Sequence, residues 1–295
     1  MPKSSSFGKH FLFIAHPGHE LCVHGWLETV RPRVFVLTDG SGRSGQSRIQ
    51  STTNILRQAG AEQGCIYGRL TDAEIYQAIL THDFELFLNI ADEFAESLGR
   101  DEAESVAGDA IEGFNPTHDV CRLIINAAVE IARRCYGRTI ANRDFLLVGR
   151  HDTYPPALRA QATWLHLPDD AFQRKLEMAR SFQELGSEID AALAGDLQVL
   201  RHNAELGANL TLQYNSLGLE AYRIECLRPA DEKVIGRDFG NQLPFYERYG
   251  ELRVAEGNYQ SVIRYREHVL PIANALQEFV EQRSPLEGLE KATSI

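Results

Sequence analysis

The chain has 295 residues, 43% of them apolar and 24% charged, a composition that excludes wholesale disorder and collagen-like repeats and suffices for a full hydrophobic core. Its net charge of −11 argues against a polyanion-binding surface, so no nucleic-acid partner is expected. No stretch of 18 consecutive apolar residues occurs, so no membrane partner is expected, and no secretory signal either. Five scattered cysteines without a CxxC pair speak against a disulfide framework or zinc ribbon and for a reducing, cytoplasmic setting.

The first half reads as strand then helix, repeatedly, and its strands are continuous apolar runs, the pattern of a parallel sheet covered on both faces. Phe11–Ala15 is the first strand, Leu21–Val30 a short helix closed by Pro32, and Val34–Thr38 the second strand. Arg48–Ala59 is helical and ends at Gly60, as a C-terminal glycine should. Ile66-Tyr67 marks a weak strand, Asp72–Leu98 one or two helices, and Ser105–Gly108 another strand. Asn115-Pro116 opens a helix with a good cap and a proline in its first turn, and Phe145–Val148 reads as a buried strand. Beyond residue 150 the pattern loosens, with a helix after Leu167-Pro168, helical stretches at Glu188–Leu193 and Tyr259–Gln282, and a strand at Glu220–Leu227. The expected fold is an α/β, Rossmann-like three-layer arrangement with a mostly parallel sheet and a helical C-terminal elaboration. Residues 1–150 are expected to form the metal-site core, and 151–295 a part of the same compact domain that serves as a substrate wall.

In open parallel sheets ligands bind beyond the carboxyl ends of the strands. There the sequence places His16-Pro17-Gly18-His19-Glu20 after the first strand, Thr38-Asp39-Gly40 after the second, and Asp109, Glu112 and Asn115-Pro116-Thr117-His118-Asp119 after the fourth. His16, His19 and His118 from two strand ends make a plausible zinc set with a fourth position open to water. Cys121 on the same helix reads as a buried small hydrophobe, and Trp26, Trp164 and tyrosines 246, 249, 259 and 265 as either a sugar-stacking rim or an oligomer contact.

These motifs resemble the LmbE/PIG-L-like zinc-dependent de-N-acetylases, which remove N-acetyl groups from glucosamine-containing substrates. The family's A-H-P-D-D-E corresponds to Ala15-His16-Pro17-Gly18-His19-Glu20, its T-D-G to Thr38-Asp39-Gly40, and its H-P-D-H to Asn115-Pro116-Thr117-His118; Lys175, Ser181-Phe182-Gln183 and Glu220-Ala221-Tyr222-Arg223 follow in similar order. The resemblance implies a hydrolase of N-acyl groups on an amino-sugar derivative or related small molecule. It also implies zinc, or another divalent metal, on His16, His19 and His118. Two positions depart from the pattern. The family's general base falls on Gly18, which has no side chain, and its assisting histidine on Asn115. Losing a general base costs on the order of a hundredfold to ten-thousandfold. Asn115 is therefore assigned to the oxyanion, and Glu20 or Asp119 to proton transfer. The alternative is a catalytically inactive or non-hydrolytic metal- or sugar-binding relative.

Overall fold

A computed structural model describes residues 9–42, 44–148, 156–182, 222–230, 239 and 243–283. The elements in order are β1 (His10–Ile14), α1 (His24–Val30), β2 (Arg33–Thr38), α2 (Ile49–Ala59), β3 (Glu62–Leu70), α3 (Asp72–Thr81), α4 (Phe84–Arg100), β4 (Ser105–Asp109), α5 (Pro116–Tyr136), β5 (Ala141–Phe145), β6 (Thr163–His166), α6 (Asp169–Ser181), β7 (Ile224–Pro229), α7 (Phe245–Ala255) and α8 (Leu270–Gln282). Short 3-10 turns stand at His19–Val23 and Pro156–Gln161, and a π-turn at Tyr265–Val269 leads into α8.

The seven strands form one mixed sheet in the order β3-β2-β1-β4-β5-β7-β6. The five strands of the first half are parallel; β7 runs antiparallel to both β5 and β6. This is the α/β three-layer architecture with C-terminal helices that the strand pattern predicts. Alternation along a strand explains the layers. Phe11 and Phe13 of β1 and Phe35 of β2 point to one face, where Phe94 of α4 packs edge-on against Phe13 and Phe35 with ring centres 4.8 Å apart in each pair. Leu12, Ile14, Val34 and Val36 point to the other face, against Leu27 of α1 and Ile55 and Leu56 of α2. The order reverses between β1 and β4, and their carboxyl ends therefore frame the crevice of a topological switch point. The two strands approach closely there: a Cβ on Gly108 would lie 2.3 Å from the Phe13 carbonyl oxygen, so only glycine fits.

Several boundaries differ from the sequence reading. The strand expected at Phe145–Val148 is instead Ala141–Phe145, whose polar Asn142 and Asp144 are buried because Arg122 and Arg228 bond them. A pattern search for apolar runs slides past such a strand. The weak strand at residue 66 is a nine-residue edge strand with register shifts against β2. The helical stretch from Asp72 divides where His82 takes a left-handed conformation and Asp83 caps the next helix through the Leu86 amide. The expected strand at Glu220–Leu227 is Ile224–Pro229 within the described residues; the helix expected at Glu188–Leu193 lies outside them. The stretch from Tyr259 becomes helical only at Tyr265, and β6 and α7 were not read from the sequence.

Candidate metal centre

The chain leaves β1 at Ala15 and turns through His16-Pro17-Gly18 into the 3-10 turn. Gly18 has φ 104° and ψ −21°, a backbone state that side-chain-bearing residues rarely adopt. The next acid closes the turn: Glu20 Oε2 accepts the Gly18 amide at 2.7 Å. Across the switch point, Asn115 caps α5 by accepting the Thr117 amide on Oδ1 at 2.8 Å, and the first turn of α5 presents His118.

These segments bring three imidazoles together. Ring centres lie 5.3 Å apart for His16 and His19, 5.0 Å for His16 and His118, and 4.6 Å for His19 and His118, with planes inclined by 65° to 87°. Zinc–nitrogen bonds of about 2.0–2.1 Å, roughly 1.1 Å from nitrogen to ring centre and a near-tetrahedral angle would set ring centres about 5 Å apart. The observed spacing matches that figure. His16 Nε2 and His118 Nδ1 are buried without a hydrogen-bond partner, which is costly in a protein interior unless something else engages them. Burial, with His19 and His16 alongside, pushes the His118 imidazole well below its ordinary range and keeps it neutral, the form that ligates. Among the described residues no group of three or more His, Cys, Asp or Glu side chains could hold a metal ion as placed, so the case for one rests on ring spacing and orphaned nitrogens alone.

Carboxylates hold two of the rings from behind. Asp72 Oδ1 lies 3.0 Å from His16 Nδ1, which also meets Thr38 Oγ1 at 2.8 Å; Asp109 Oδ2 lies 2.9 Å from His19 Nδ1 and accepts the Ala15 amide at 2.8 Å. Burial alone would raise the Asp72 carboxyl, but its contacts with His16, Thr38 and the Gly42 amide hold it far below the usual carboxylate range. The sequence reading gave Asp72 no role, although it follows β3 directly and so satisfies the strand-end rule that singled out the histidines.

The other predicted site residues occupy supporting positions. Glu20 is fully buried, and burial, offset in part by Thr52 and by backbone hydrogen bonds, raises its carboxyl to about 7. Asp119 Oδ1 accepts the amides of Glu112 and Gly113 at 3.2 Å each and anchors the loop ahead of Asn115. Glu112 turns away to accept the Leu147 and Val148 amides. Asn115 Oδ1 also receives the Tyr76 hydroxyl at 3.5 Å. Cys121 is buried in the core, as expected. The aromatic rim divides: Trp26, Tyr246 and Tyr265 are buried, whereas Tyr259 is exposed.

No protein-family model and no curated protein matches the chain. Among solved structures, the zinc inhibited form of teicoplanin deacetylase Orf2 is similar over 59% of this chain and 83% of that one, at 12% identity and a TM-score of 0.40. At that level the functional reading is left to the site itself. A cleft of about 430 Å³ between α1, β6 and α6 is lined by none of the three converging histidines and in part by Glu28 and Asp170, both of which pair with Arg174.

Proposed function

We propose that the protein is a metal-dependent hydrolase of linear amides that removes an N-acyl group, acetyl by preference, from an amino sugar or related small molecule. The observation that carries the metal is the convergence of His16, His19 and His118 with two buried nitrogens left unpartnered. The acyl substrate is drawn from the motif resemblance. Zinc or another divalent ion held by the three rings would supply Lewis acidity to the acyl carbonyl and make water acidic. Asn115, whose Oδ1 is committed to the helix cap, offers its Nδ2 to the developing oxyanion. Of the two carboxyls proposed for proton transfer, Glu20 is better matched to neutral pH, since its carboxyl stands near 7 while Asp119 Oδ1 holds two amides. The C-terminal part bears on the site through α7, where Phe245 stacks on Phe114 at 4.8 Å and Tyr246 donates its amide to the Gly113 carbonyl. We place the enzyme in a reducing, cytoplasmic setting, which the five free cysteines favour.

A second reading, a binding protein of the same architecture without hydrolysis, is favoured by Gly18, where no side chain stands to take a proton. Metal content and deacetylation of N-acetylglucosamine derivatives separate the two. Near-stoichiometric zinc that His16→Ala and His118→Ala abolish, together with acetate release, supports the enzyme; the same zinc without turnover supports the binding protein. Less than about a tenth of an equivalent after loading rejects both metal readings and leaves a sugar-binding relative, because structural and catalytic sites of this kind hold zinc tightly.

A further inference from the structure

We propose that Asp72 and Asp109 are positioning residues that lock His16 and His19 in the Nδ1–H tautomer, so that both rings hold an Nε2 lone pair toward the shared centre before any ion binds. The argument is a count of protons. Thr38 Oγ1 accepts the Gly40 amide at 3.3 Å and has one proton for three neighbours, the Ala15 carbonyl at 3.1 Å, the Asp72 carboxylate and His16 Nδ1 at 2.8 Å, so the carboxylate decides that nitrogen. The second neighbour of that nitrogen is Asp72 Oδ1 at 3.0 Å, belonging to a carboxylate whose Oδ2 accepts the Gly42 amide at 2.6 Å. A carboxylate can only accept, so the proton between it and this edge of the ring belongs to His16. The same holds for His19. Its Nδ1 faces Asp109 Oδ2, an oxygen already accepting the Ala15 amide, in a side chain with no solvent exposure. A neutral imidazole carries one N–H, and placing it on Nδ1 leaves Nε2 as the acceptor. For His16 that nitrogen is the buried one without a partner.

His118 has no such brace on Nδ1, which is buried and unpartnered. Two of the three rings are thus set by side chains 56 and 90 residues away in sequence, while the third is held by its place in the first turn of α5. Asp109 adds a second consequence. Its carboxylate stands one imidazole behind the centre, so an ion held by neutral rings would have negative charge close behind one of its ligands.

The tautomer assignment stands on the hydrogen bonds alone, whereas its effect on ion binding rests on the metal reading above. Long-range proton–nitrogen NMR of the metal-free, imidazole-labelled protein reads the first: His16 and His19 are expected with protonated Nδ1 and bare Nε2. Chelator competition with zinc reads the second: Asp109→Asn and the milder Asp72→Asn are each expected to weaken zinc binding about 10- to 100-fold while circular dichroism stays that of the parent. A purely structural role would lower stability without moving the tautomer or the affinity of the folded fraction. Protonated Nε2 at either ring, or affinities within twofold of the parent in both variants, overturns the proposal. A parent protein with Nδ1–H rings that binds no zinc overturns the metal reading and leaves the tautomer assignment supported.

Discussion

Individual side chains at this site do two jobs, and the predictions separate them. Asn115 is both the cap of α5 and the proposed oxyanion donor. Asn115→Ala removes the cap and costs about 1 kcal/mol of stability, whereas Asn115→Ser keeps a capping oxygen and loses only the amide donor. Asn115→Ser is therefore expected to unfold within a few tenths of a kcal/mol of the parent in urea and to lose about a hundredfold in kcat. Gly18 is the second case. Restoring the aspartate of the resembling family at this position looks like a route to higher activity, but φ 104° is hostile to a side chain. Gly18→Asp is expected to cost about 1–3 kcal/mol, seen as a lower urea midpoint, and to leave turnover no higher than the parent. A rise in kcat with unchanged stability would show that the turn relaxes and that this backbone state is not imposed. The HxxH pair and the helix-opening Asn-Pro were legible in the sequence because each is a local pattern. The conformation of Gly18 was not, since a glycine in sequence does not announce which φ it uses.

At the scale of elements, the first helix shows how far a terminus can reach for its partner. No side chain of its own caps α1, which follows the 3-10 turn through Val23. Its buried first-turn amides at Gly25 and Trp26 are instead accepted by Glu225 of β7, at 2.8 and 2.9 Å, and Lys175 of α6 completes the group by donating to Glu225 at 2.9 Å and to the Cys22 carbonyl at 3.1 Å. Arg174 adds a forked bond to Glu28 on the surface of the same helix pair. One buried carboxylate thus joins a helix start, a late strand and a late helix. Lys175 was visible in the sequence as part of a motif order; its pairing with Glu225 was not. Both members of the pair are almost fully shielded from water, so removing one strands a charge. Lys175→Met is expected to destabilise by about 3–5 kcal/mol, with a lower urea midpoint and an unchanged slope. A change under 1 kcal/mol would mean that the two amides alone satisfy Glu225.

Across the whole molecule, the switch point between β1 and β4 puts the site where two sequence-distant loops meet, and the acids around it give stability a pH dependence. Glu112 ties the loop after β4 to the segment after β5, and burial, opposed by the Leu147 and Val148 amides, raises its carboxyl from 4.5 to about 8. The native state therefore keeps this proton after the unfolded chain has lost it. Stability from this group is complete below pH 4.5 and declines as pH rises toward 8, by about 1.4 kcal/mol per pH unit at most. Glu112→Gln, whose amide oxygen can still accept both backbone amides, is expected to flatten the stability profile over that window; a profile as steep as the parent's would assign the slope to other groups. Among the described residues no helix is long and apolar enough to cross a membrane. What the sequence by itself determined was the alternation of buried strands and helices and the strand ends where His16, His19 and His118 stand, because periodicity and capping act within a few residues. Which nitrogen each ring presents, which carboxylate stands behind it and which acid caps α1 were decided only by tertiary structure. Those pairings span 56, 90 and 200 residues, and a polar group's partner is whatever the crossing of the chain brings within hydrogen-bond reach.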